Sequence, residues 1–269
     1  MAVGARNHRA PSWEGPFIGF PGPTITQSEL VTHNADVQAA IVAARPYGGT
    51  PTAGLMASAY DYFVRWTAVN SPNAPKADPY VTGGCRQQFA ILLSDGAPNL
   101  DLRTQELCSQ GQADKSEGTT NSGPSPKCPF FRPERTAERM RTEGNVTTFV
   151  VGFAVGHDGT PSGVANEGFP VGYSNPKRCA DWRASHATQA SFNTDCANQK
   201  KNIAGDPPTA AGLAQWETTT ARACCELNDI ALAGSNNARG AYFAETQTDL
   251  VSVFADILGS IASQSATRS

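Results

Sequence analysis

No stretch of this chain approaches the ~20 consecutive apolar residues that a membrane-spanning helix needs, which removes a helical membrane span from the expected architecture. The opening segment MAVGARNHRAPSWEG also lacks the apolar core of a secretory signal peptide. Charge of one sign is missing too. Twenty-one Lys and Arg against 24 Asp and Glu give a net charge of -3, which offers no electrostatic basis for holding nucleic acid. Hydrophobic residues reach only 39%, low for a compact enzyme, while 25 Gly and 19 Pro indicate much loop. Catalytic signatures are wanting as well. There is no Gly-x-Ser-x-Gly elbow, and GGTPTAG has no Lys to serve a phosphate loop. Ser94 beside Asp95 is the formal material of a hydrolase, but no histidine stands near it in sequence, so hydrolysis is the least favoured activity.

What the chain does have is length and cysteine. Its 269 residues can bury a real core. Seven cysteines, Cys85, Cys108, Cys128, Cys179, Cys196, Cys224 and Cys225, lie in polar, Gly- and Pro-rich surroundings, which fits disulfides in an oxidising compartment. No CxxC pair occurs, and His8, His33, His157 and His186 stand apart from the cysteines, so zinc is disfavoured.

Residues 1–33 carry little pattern; Phe17, Ile18 and Phe20 suit a short edge strand because Pro16 and Pro21 flank them. A helix is expected over 35–44, with Asn34 as cap and Val37, Ala40, Ile41 and Ala44 as its stripe. A second, over 51–66, starts with Thr50 as cap and Pro51 in the first turn, and Leu55, Ala59, Tyr62, Phe63 and Trp66 form its buried face. A polar linker, 70–84, leads to Phe89, Ala90, Ile91, Leu92 and Leu93, a continuous apolar run that suits a parallel strand buried on both faces. Residues 100–133 read as an insertion stapled by Cys108 and Cys128. A short charged helix follows over 133–142, then a β-branched strand over 146–153. Residues 156–216 read as a second insertion clipped by Cys179 and Cys196. A helix over 219–233 puts Cys224, Leu227 and Ala231 on one face; one of Cys224 and Cys225 is expected to reach a distant cysteine, with Cys85 the first choice. A short strand over 241–243 precedes a final helix with Leu250, Val253, Phe254, Ile257, Leu258 and Ile261 in register. Strands alternating with helices make an α/β protein with a Rossmann-like parallel sheet flanked by helices.

Chemistry is expected where such sheets bind ligands, at the C-terminal ends of the strands. There Thr50 and Asp95, with Ser94 as a further candidate, offer hard oxygen ligands suited to Mg²⁺ or Ca²⁺. Each also has a plain structural role: a helix cap for Thr50, a turn for Asp95 before Gly96.

GGTPTAG, FAILLSDGAPN, VTTFVVGFAVG and AYFAETQTDLVSVFADILGSIAS together resemble the von Willebrand factor type A (VWA) domain, and most closely its form at the front of PilY-type adhesins at the tips of bacterial type IV pili. The resemblance implies a partial VWA domain over residues 34–263, interrupted at about 100–133 and 156–216, with a tail at 264–269. It implies a metal-ion-dependent adhesion site in which Thr50 ligates Mg²⁺ or Ca²⁺ and Asp95 reaches the ion through water. A protein or host-surface partner would complete the site with an acidic side chain, and pilus components would be further partners. The location implied is extracellular, on the bacterial surface. The family's Asp-x-Ser-x-Ser motif occurs nowhere in this sequence. The opening strand that carries it, with its helix, is therefore expected to be lacking, which would leave the edge of the strand at Phe89 to Leu93 uncovered. The odd cysteine count and the missing signal peptide agree with an incomplete front. A structural surface domain with a degenerate metal site is the alternative reading.

Overall fold

Three apolar runs pair side by side in a computed structural model that describes residues 25–43, 52–66, 75, 78–97, 131–156, 178–216 and 219–266. Strands β1 (Gln88–Ser94), β2 (Val146–Phe153) and β3 (Tyr242–Ala244) form one sheet in the order β1-β2-β3, with both pairings parallel. Gln88 lies opposite Val146 and Ser94 opposite Gly152; Val151 lies opposite Tyr242. The chain is thus an α/β protein with helices around a small parallel sheet. The helices are α1 (Gln27–Ala43), α2 (Thr52–Tyr60), α3 (Pro79–Thr82), α4 (Pro133–Gly144), α5 (Cys179–Ala184), α6 (Gln189–Ala204), α7 (Ala210–Trp216), α8 (Thr220–Gly234) and α9 (Gln247–Ala266).

The inner face of the sheet carries Leu92, Val146 and Val150, which share one core with Met56 and Tyr60 of α2, Ala137 and Met140 of α4, and Leu227, Ile230 and Ala231 of α8. Each of the Val, Leu, Ile and Met side chains among them contributes roughly 1.5–3 kcal/mol by leaving water. Local chemistry sets the helix ends. Pro133 opens α4 at a position where its missing N–H costs nothing, and Asn145 closes it in a left-handed conformation at φ 53°. Tyr60 ties α2 to α4: its hydroxyl donates to Glu143, Arg139 donates to that hydroxyl at 2.8 Å, and the Arg139 guanidinium lies 4.5 Å from the ring centroid. Burial alone would raise the Glu143 carboxyl, but hydrogen bonds from Arg139 and Tyr60 outweigh it and hold the group below its ordinary value.

On the outer face, Phe149 and Val151 of β2 pack beneath Ile257 of α9, with Leu250, Val253 and Ile261 around them. Their neighbours across the ladder on β1 are not covered: Ile91 is 40% and Leu93 is 50% exposed. The expectation of a strand buried on both faces therefore fails for β1. Helix α9 lies over β2 and β3, and among the described residues β1 pairs on one edge only.

The region after β2 departs furthest from expectation. Within 156–216, three helices occupy the described part. Cys179 does not pair with Cys196. Cys179 bonds Cys224 and Cys196 bonds Cys225, so both members of the vicinal pair on α8 reach outward, one to α5 and one to α6. Cys85 is a free, exposed thiol and bonds neither. All four bonded cysteines are buried, and α5 and α6 both lie against α8. Asn228, fully buried, closes the same contact. Its side-chain oxygen accepts from Gln189 at 2.8 Å and from the Ala241 N–H at 3.3 Å, and its amide donates to Asn193 at 2.8 Å.

Smaller differences have local causes. Helix α1 begins at Gln27, ahead of the Asn34 cap expected, because Thr26 and Glu29 make a reciprocal capping box: Glu29 accepts from the Thr26 N–H at 2.8 Å and the Thr26 hydroxyl oxygen from the Glu29 N–H at 3.3 Å. Leu55, expected on the buried face of α2, is 38% exposed, whereas Tyr62 and Phe63 are buried in the π-helical turn Asp61–Arg65 that follows. Asp78 accepts from the Tyr80 N–H and starts α3 inside the expected linker. Leu258, expected in the α9 stripe, is 59% exposed. The edge strand proposed at Phe17 to Phe20, Thr50, Cys108 and Cys128 lie outside the described residues.

Candidate functional site

Because the three strands run parallel, their C-terminal ends share one edge of the sheet. Strand β1 delivers Ser94 and Asp95 to it. Ser94 is 6% exposed, and its hydroxyl donates to the Gly96 carbonyl at 2.9 Å, closing the turn that ends the strand. Asp95 is exposed at the apex of that turn. After β2, Ala154 adopts a left-handed conformation at φ 52°, uncommon for a residue with a side chain, and its N–H donates to the Ala244 carbonyl at 2.8 Å. That bond locks the ends of β2 and β3 together. After β3, Glu245 turns toward the start of α5 and accepts from the Ala180 N–H; burial raises its carboxyl above the ordinary range, against the pull of Arg178.

Among the described residues the strand ends carry two carboxylates, Asp95 after β1 and Glu245 after β3. Two strand spacings separate them, ~10 Å, too far to share one cation. Asp95 has the chemistry and exposure of an oxygen ligand or of an acceptor for a metal-bound water. Ser94 presents no free hydroxyl to solvent, since its hydroxyl is spent inside the turn. The helix following Thr50 begins at Thr52, which is buried at 2% exposure. Among the described residues no three His, Cys, Asp or Glu side chains gather into a metal cluster. Asp95 fits one place in a cation's shell; the structure brings it together with Ser94 and leaves Thr50 undescribed.

A second constellation lies in the region after β2, where spacing gave no hint of it. His186 sits between the Trp182 carbonyl, 2.8 Å from Nδ1, and Asp195, 3.1 Å from Nε2, while the Trp182 indole N–H also donates to Asp195 at 3.0 Å. Ser185 Oγ is 3.3 Å from His186 Nδ1, so serine, histidine and aspartate form a hydrogen-bonded series. The Ser185 hydroxyl, however, donates to the Trp182 carbonyl at 2.7 Å. Its proton is committed to the backbone and not to the imidazole, so the group works as a clasp between α5 and α6. The signal that could have found it is the capping box at the start of α6, where Thr188 accepts from the Ser191 N–H and Ser191 Oγ faces the Thr188 N–H in return.

Comparison of the chain with family models, with curated proteins and with solved structures gives no match. Fold and site together define an α/β protein with a parallel sheet, two disulfides among the described residues and an acidic strand-end turn. No helix among the described residues is long and apolar enough to cross a membrane.

Proposed function

We propose that this chain is a VWA-like adhesion domain of a bacterial, pilus-associated surface protein, which binds an acidic partner group through Mg²⁺ or Ca²⁺ at the C-terminal edge of its sheet. The observation that carries the reading is the position of Asp95: an exposed carboxylate at the end of a parallel strand whose other edge has no partner among the described residues. That open edge and the exposed Ile91 and Leu93 lie where the resemblance puts the family's opening strand. Thr50 would ligate the ion directly and Asp95 through water; the ion's remaining coordination position would take the partner's carboxylate. Binding would need no reaction.

The test is adhesion of cells displaying the full-length protein, measured with and without a chelator. Attachment should depend on Mg²⁺ or Ca²⁺, and Asp95→Ala should weaken metal affinity by about 10–100-fold, as loss of a group acting through a ligated water does. Attachment unaffected by either change would overturn the reading. A purely structural surface domain is the second reading. Two disulfides anchored on adjacent residues of α8 favour it, since they serve mechanical and proteolytic resistance with or without a metal.

A further inference from the structure

We draw no further inference here: the strongest candidate, the outer edge of β1, unpaired among the described residues, with the exposed Ile91 and Leu93 on its outer face, is an apolar surface, and nothing in the structure shows what covers it.

Discussion

Removing the Cys179–Cys224 bridge, by replacing both residues with Ala, should cost the protein about 4 kcal/mol. The bridge spans 45 residues and Cys196–Cys225 spans 29. Closing loops of these lengths takes ~4 and ~3.6 kcal/mol of entropy from the unfolded chain. Against a total stability of roughly 5–15 kcal/mol, loss of either bridge is severe. It should lower the melting temperature by roughly 8–16 °C at ~2–4 °C per kcal/mol for a chain of this size. The connectivity is checked directly by a non-reducing tryptic map. No Lys or Arg separates Cys224 from Cys225, so both bridges converge on one peptide, residues 223–239. The map should show that peptide joined to residues 179–183 and 184–200 together. Cys225→Ala should release only the fragment containing Cys196. Recovery of 179–183 linked to 184–200 without 223–239 would refute the arrangement. So would a denaturation midpoint that reduction shifts by less than about 1 kcal/mol, given the ~3.6–4 kcal/mol at stake for either bridge.

Three further outcomes test the packing around the sheet. Asn228→Ala should destabilise by about 3 kcal/mol in urea unfolding, because it leaves the buried Ala241 N–H without an acceptor and opens a void beside Gln189 and Asn193; a loss under about 1 kcal/mol would mean that the amide network is not formed. Thr148→Val should raise stability by about 1 kcal/mol in the same assay. Its hydroxyl is buried on β2 with no hydrogen-bond partner, so an isosteric methyl removes an unmet desolvation cost. Leu93→Lys, at a half-exposed position, should change stability by less than about 1 kcal/mol while lowering concentration-dependent association in light scattering, since a charge on an edge strand blocks strand pairing. A loss of more than about 2 kcal/mol would show that the outer face of β1 is covered in solution.

The positions of the three strands, the limits of β2 and the start of α4 were readable in the sequence because they rest on local rules. The β-branched run at Val146 to Phe153 is bounded by Asn145 and Ala154, both left-handed, and the observed strand matches it end to end. Pro133 announces α4 in the same way. The strand-end turn at Ser94 and Asp95 was equally legible, since a polar knot after an apolar run has few other uses. The capping boxes at Thr26 and Thr188 were present in the sequence too. They are weak signals beside apolar periodicity, which the polar helices α1 and α6 barely show.

What the sequence could not determine is everything that depends on two distant segments meeting. Whether Cys179 reaches Cys196, 17 positions on, or Cys224, 45 positions on, is set by how α5 and α6 lie on α8. Asn228 reads as an ordinary polar residue until Gln189, Asn193 and Ala241 are brought around it. The apolar run of β1 fixes a strand, but how many of its faces are buried depends on which helices lie over it. Composition cannot report that α9 stops short of Ile91 and Leu93. Local backbone preference chose the elements of this protein, and burial of their surfaces against one another, a property of the folded chain alone, decided the bridges, the amide network and the exposure of Ile91 and Leu93.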